Sequence, residues 1–272
     1  MILTIITINR NNAAGLEKTM KSVACQSNQN FEYVVVDGAS TDCSVDIIQR
    51  YESTFGSRLK WISEADKGIY NAMNKGIAMA DGEYLQFLNS GDMLVSEDIV
   101  AKMYTALEKA KYPSILYGNM LKDIDGKIKQ DRSFAGEPIT FLGFYKGTLN
   151  HSPAYIRKGL FDKYGLYDES LKIVSDWKWY LQAIIMGEEK PAYSDIDVTL
   201  FDMTGISETN KELCRKERKQ VLSRLFPETI LADYERWHFP IQQMKRLKRH
   251  PWAYKLVWFL ERVLFKIEKH KR

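Results

Sequence analysis

The 272-residue chain is 45% hydrophobic and 27% charged, enough to bury one sizeable α/β core without disulfides or metals holding it together. Its three cysteines, Cys25, Cys43 and Cys214, are scattered without ligand-like spacing; they read as buried or idle thiols and argue against a disulfide-stapled secreted protein. The net charge of +4 is uneven: residues 241–272 hold ten Lys/Arg against two Glu, so the chain before them is net acidic and an anionic partner is expected for the tail alone.

Residues 1–8 are too short an apolar run for a signal sequence, and 3–8 read as a buried strand. The polar loop Asn9-Arg10-Asn11-Asn12 leads to a helix over 14–25 with Leu16, Met20 and Val23 on one face. Strands follow over 31–36, 59–63 and 84–88, with helices over 45–51 and 69–80 between them. This alternation predicts a mostly parallel sheet with helical crossovers. Further on, the pattern predicts a helix over 96–110 capped by Ser96, and a hairpin of 115–119 with 128–134 across Asp125-Gly126. A helix start near Arg157, a turn over 164–168, a helix over 175–186, a last strand over 198–203 and a charged helix over 211–225 complete the series. No apolar run approaches the roughly 20 residues that span a bilayer.

Two strands of the first half end on an Asp beside a Gly: Asp37-Gly38 and Gly91-Asp92. In an open α/β sheet the ligand crevice lies beyond the carboxyl ends of the strands, so this edge is expected to bind a nucleotide. Alone, Asp37 is equally well explained as a turn residue; a second acid on the same edge favours a site, because a carboxylate there can hold a divalent cation that bridges two phosphates. Between them, Lys67-Gly68 precedes a helix and offers a cation and free N–H groups to phosphate. Asn71 and Asn74, weak helix formers three residues apart on one face, are read as further ligands and not as solvated surface.

Thr7, Asn9, the Val-Val-Asp-Gly-Ala-Ser-Thr-Asp run at 35–42, the Asp-Lys-Gly-Ile-Tyr-Asn-Ala-Met-Asn-Lys-Gly run at 66–76 and the Gly-Glu-Tyr-Leu-Gln-Phe-Leu-Asn-Ser-Gly-Asp run at 82–92 resemble family 2 glycosyltransferases of the GT-A fold. The match is dense over the first 95 residues and then thins to His151 and Ser175-Asp176-Trp177. It implies a Rossmann-like α/β nucleotide-diphospho-sugar transferase domain over 1–206, with a nucleotide-sugar half (1–95) and an acceptor half (96–206), followed by a helical basic extension (207–272). It also implies that Thr7 and Asn9 line the nucleotide pocket, Asp37 bonds the base and Lys67 reaches the phosphates. Asp92 matches the last acid of the family's Asp-x-Asp motif, which holds Mn²⁺ or Mg²⁺, while Ser90 stands where its first Asp is customary. Asp176 matches the general base of an inverting transfer, with Ser175 replacing the usual Glu before it, and His151 is placed near the acceptor. Similar enzymes move a sugar, most often UDP-linked, to a lipid-linked or polysaccharide acceptor in bacterial surface polysaccharide synthesis; the alternative is a non-catalytic sugar-nucleotide or lipid-binding module.

In the tail, Trp252, Leu256, Phe259, Leu260, Val263, Leu264 and Ile267 recur at helical spacing with cations mostly elsewhere. This is the pattern of an interfacial helix on anionic lipid. A docked helix or dimer contact has the same periodicity. A nucleic-acid role is disfavoured because the aromatics align with the aliphatic face. A cytoplasmic protein, peripheral on the inner face of the bacterial membrane, is expected.

Overall fold

The computed structural model describes residues 2–135 and 137–269. β1 (Leu3–Asn9), β2 (Phe31–Asp37), β3 (Leu59–Ser63) and β4 (Tyr84–Phe87) lie parallel in the order β3-β2-β1-β4, connected by α1 (Ala13–Ala24), α2 (Ser44–Phe55) and α3 (Ile69–Met79). Every residue of β1, β2 and β4 is buried. Strands covered on both faces need mostly apolar side chains on both, and the polar ones within them are hydrogen-bonded inside: Thr4 to Glu32 and Gln86 to Ser152 O.

The second half turns the sheet mixed. β5 (Met93–Leu94) precedes α4 (Ile99–Lys109), β6 (Ile115–Ile124), β7 (Lys127–Asp131), α5 (Phe141–Lys146), β8 (Ala154–Arg157), α6 (Gly159–Tyr164) and α7 (Ser175–Tyr180). β9 (Ala192–Phe201), α8 (Ile206–Thr209) and α9 (Lys211–Leu225) follow. β8 runs antiparallel to both β4 and β6, and β9 pairs parallel to β6 and antiparallel to β5. The β6–β7 hairpin turns at Asp125-Gly126, whose φ values of 53° and 75° are those of the primed turn that matches strand twist.

Several boundaries differ from the sequence expectation. The helix expected to start near Arg157 is α6, which begins at Gly159; the strand just ahead of it, β8, was not expected, because a short apolar run such as Ala154-Tyr155-Ile156 fits a buried strand as well as a helix. α4 starts at Ile99, and Ser96 spends its hydroxyl on the Asp98 carboxylate (2.7 Å) instead of capping. The helix over 175–186 loosens after Tyr180 into a π-type turn, Leu181–Met186. Cys25 and Cys43 are exposed free thiols.

The chain packs as two compact units, Met1–Arg218 and Lys219–Arg272. The second contains the end of α9, then α10 (Glu228–Lys248) and α11 (Pro251–Lys269). α11 exposes Trp252, Phe259, Leu264 and Phe265 by 59–73%. Among the described residues no helix is long and apolar enough to cross a membrane. Lys271 and Arg272 of the basic tail, and the Glu268 side chain, lie outside the described residues.

Candidate active site

Strand register builds the first wall. Asn9 lies opposite Asp37, and Asp37 opposite Ser63, so three adjacent parallel strands end in one polar row. Asn9 Nδ2 donates to Asp37 Oδ1 (2.8 Å) and Ser63 Oγ to Asp37 Oδ2 (2.7 Å); the Ser40 N–H (2.9 Å) and hydroxyl (2.6 Å) donate to the same carboxylate. Burial pushes Asp37 up, but the hydroxyls of Ser40 and Ser63, the Ser40 N–H and the Asn9 amide outweigh it and hold the carboxyl below its usual range. Asp37 is thus a buried anchor behind the crevice. Thr7 is equally internal, donating to Leu88 O (2.7 Å) and pairing with the Tyr33 hydroxyl (3.0 Å). Gly38 donates its N–H to Asn9 O (2.8 Å), and a Cβ there would collide with the Asp66 carboxylate.

A cavity of about 640 Å³ opens at this edge. Of the residues anticipated from sequence, Asn9, Gly68, Asp92, His151 and Asp176 line it; Thr7, Asp37, Gly38, Lys67, Asn71 and Asn74 do not. Lys67 is exposed, and its backbone N–H donates to Asn71 Oδ1 (3.1 Å). Asn71 Nδ2 donates to Glu169 Oε2 (2.9 Å). Asn74 clasps the same loop, donating to Tyr167 O and Glu169 Oε1 (both 2.9 Å) and accepting from the Tyr167 N–H (3.0 Å). A carboxamide offers donor and acceptor together, which suits it to backbone, so this face of α3 binds the chain's own loop.

Asp92 is 3% exposed, and its Oδ1 accepts the Asp202 N–H at 2.8 Å. Asp202 follows β9, and both acids line the cavity. Gly91, at φ 106°, lets the two approach: a Cβ there would collide with the Asp202 carboxylate. Burial first, and then the charge of Asp202, push Asp92 up to about 7, against the Asp202 N–H. Ser90 turns its hydroxyl to Asn12 O (3.3 Å). A hard cation takes one or two protein carboxylates and fills its remaining positions with water and phosphate oxygens, and two acids facing one cavity fit that need. Among the described residues no group of three or more His, Cys, Asp or Glu is gathered to hold a metal without such help. Asp202 falls inside the strand expected over 198–203 and has no Gly beside it, so the signal that marks Asp37 and Asp92 does not mark it; β9 ends one residue before it, at Phe201.

Also in the cavity lining, Asp176 Oδ1 lies 2.8 Å from the Tyr70 hydroxyl, which is itself 2.5 Å from Ile173 O. Burial and the neighbouring Asp176 push the Tyr70 phenol well up, so it remains a donor. His151 stacks on Phe87 at 4.8 Å and sets Nε2 2.8 Å from the Tyr167 hydroxyl; burial pushes the imidazole down, keeping it neutral at neutral pH. Trp177 and Trp179 are both 2% exposed and donate to Phe144 O and Gly165 O, as core residues do. Arg218 lies 4.8 Å over Trp177, and both reach the cavity wall. Tyr70 falls inside the run at 66–76, where nothing in its spacing sets it apart, and nothing in the charged pattern of α9 marks Arg218.

The model of glycosyl transferase family 2 matches residues 4–170, more than half of the chain. The chain belongs to glycosyl transferase family 2. A PGL/p-HBAD biosynthesis glycosyltransferase of Mycobacterium bovis is 27% identical over 237 residues, 87% of this chain and 91% of that one. An uncharacterised glycosyltransferase of Mycobacterium tuberculosis is 33% identical over 207 residues, 75% and 76% of the two chains. Staphylococcus aureus TarS 1–349, solved with UDP, superimposes with a TM-score of 0.65 at 21% identity, covering 88% of this chain and 72% of TarS. This family 2 glycosyltransferase therefore has the GT-A fold expected from its motifs, with a mixed sheet flanked by helices and a helical C-terminal region.

Proposed function

We propose that this family 2 glycosyltransferase inverts the anomeric centre of a nucleoside-diphosphate sugar, UDP-linked, as it passes the sugar to a lipid-linked or polysaccharide acceptor of the bacterial surface. The observation that carries this is the presence, in the lining of one cavity, of both the Asp92–Asp202 pair and the Tyr70–Asp176 pair. TarS, which shares the fold, has been solved with UDP and with UDP-GlcNAc. A mannosyltransferase of Pyrobaculum calidifontis, TM-score 0.57 at 17% identity, has been solved with GDP-Man and Mn²⁺.

Asp176 takes the proton of the acceptor hydroxyl as that oxygen attacks the anomeric carbon opposite the leaving diphosphate. The Tyr70 hydroxyl holds this carboxylate in place. Asn9, fixed by Asp37, and Gly68 at the start of α3 form the nucleotide side of the wall. A divalent cation, Mn²⁺ or Mg²⁺, held by Asp92 and Asp202, supplies positive charge to the leaving diphosphate when bound. His151, neutral and stacked on Phe87, faces the acceptor as an uncharged ring. In the second unit, the exposed apolar residues of α11 and its Lys and Arg fit the surface of an anionic bilayer, which would make the enzyme peripheral on the inner face of the membrane.

Nucleotide release from UDP-GlcNAc, UDP-glucose, UDP-galactose and GDP-mannose, by the unaltered protein and by Asp176→Asn, tests this function. Turnover of a UDP-sugar that collapses in the variant is expected; equal turnover in both contradicts the assignment of the base.

A further inference from the structure

A general base works only if its carboxylate is held within about half an ångström of the productive position. Asp176 is the second residue of α7, and the residues ahead of it, Lys172, Ile173 and Val174, belong to no helix or strand. Their three successive N–H groups converge on one side chain. Lys172 N–H donates to Glu217 Oε1 (2.8 Å), and those of Ile173 (2.9 Å) and Val174 (3.3 Å) donate to Oε2.

Glu217, on α9, is 6% exposed and does not line the cavity. Both of its oxygens accept from these N–H groups, and hydrogen bonds to a carboxylate are among the stronger kind. A buried carboxylate held by backbone alone is costly unless every donor is aimed at it. The opposite side of the segment is tied to the chemistry: Ile173 O accepts from the Tyr70 hydroxyl, which also contacts Asp176. Glu217 thus grips the backbone from one side, and Tyr70 couples its other side to the base.

Given the proposed role of Asp176 as base, we infer that Glu217 is a positioning residue for the transfer. Through the 172–174 backbone it sets the placement of Asp176 against Tyr70, and so the aim of the carboxylate at the acceptor hydroxyl, while touching neither substrate. A role confined to stability would lower the melting temperature and leave the turnover of folded protein intact.

The test compares Glu217→Gln and Glu217→Asp in the full-length chain. Gln keeps one accepting oxygen but turns an NH₂ group toward a backbone N–H; Asp keeps the charge one methylene further back. Nucleotide release from the sugar nucleotide that turns over fastest among UDP-GlcNAc, UDP-glucose, UDP-galactose and GDP-mannose gives kcat, and calorimetric titration with its nucleoside diphosphate gives Kd. We expect kcat to fall about tenfold or more in Glu217→Gln and less in Glu217→Asp, with Kd changed less than twofold. Combined with Tyr70→Phe, the losses should fall short of multiplying, because both residues act on one segment. A kcat within twofold of the parent, a Kd that weakens in step with kcat, or losses that multiply would overturn the inference. Retained turnover in Asp176→Asn would contradict the base assignment itself, whereas lost turnover there beside an unchanged Glu217→Gln contradicts only the positioning role. Failure of the unaltered protein to release nucleotide from any of the four donors would remove both.

Discussion

Asp92 and Asp202, 110 residues apart in sequence, are joined by a 2.8 Å hydrogen bond from the Asp202 N–H to the Asp92 carboxylate. The loop after β4 and the end of β9 thereby bring two acids to one wall, though the first position of the expected Asp-x-Asp motif is Ser90. The contact also has a signature in stability. Asp92 is raised from 3.8 to about 7 in the folded state, so its ionisation costs stability as pH rises from below 4 through 7. Asp92→Asn keeps an oxygen for the Asp202 N–H and should melt higher than the parent at pH 8 but not at pH 4. Three pKa units correspond to about 4 kcal/mol at most. Metal-free melts across pH check this; parallel pH curves for the two proteins would contradict it.

Asp37 acts on nucleotide binding from behind. Asp37→Ala leaves the Asn9 amide, both Ser40 donors and the Ser63 hydroxyl without their acceptor. A loss of about 3 kcal/mol in denaturant unfolding is expected at pH 7, with weaker nucleotide binding because Asn9 is released. The carboxyl lies below its usual range when folded, so its contribution is present above the unfolded value near 4 and is lost as pH falls through the folded value. The difference between parent and variant should therefore shrink on acidification.

Asp176→Asn should cut turnover by about 10²-fold or more and leave nucleotide affinity nearly unchanged, since a base contributes in the transition state and not in donor binding. Steady-state kinetics beside calorimetric titration separate the two. His151→Gln, which removes a neutral ring stacked on Phe87, should change the acceptor KM more than donor affinity.

The exposed face of α11 gives the membrane proposal its own test. The full-length protein should sediment with vesicles of anionic phosphatidylglycerol and not with zwitterionic phosphatidylcholine, and 0.5 M salt should reduce binding. Phe259→Glu combined with Leu264→Glu should weaken it about tenfold or more. Equal binding to both lipids, or none to either, would contradict a role at an anionic surface.

The parallel half was legible because β1, β2 and β4 are covered on both faces and their sequences are mostly apolar. Their ends were legible too, since Asp37 closes β2 beside Gly38 and Asp92 follows Gly91 in the loop after β4. What sequence could not convey was which side of the wall each residue occupies. Asp37 and Thr7 sit one layer behind the cavity, and Asn71 and Asn74, which looked like ligands, hold the loop at 167–169. The surroundings of Asp176 were obscure because their parts come from distant segments: Tyr70 from α3, Asp176 from α7 and Glu217 from a helix whose charges resemble any solvated face. Long-range pairing of that kind leaves no periodic trace. Asp202 was missed because the expected strand ran on to residue 203, whereas β9 ends at Phe201 and leaves Asp202 at its edge.

On the proposed function, one cavity takes a nucleoside diphosphate together with a divalent cation at Asp92 and Asp202. Thermal melting of the purified protein with UDP, GDP, CMP and dTDP, each with and without Mn²⁺, tests it most directly, because preferential binding to the folded state raises apparent stability. A rise in Tm with UDP that is larger with Mn²⁺ and absent in Asp92→Asn is the expected result. No shift with any of the four nucleotides, with or without the metal, would contradict the account.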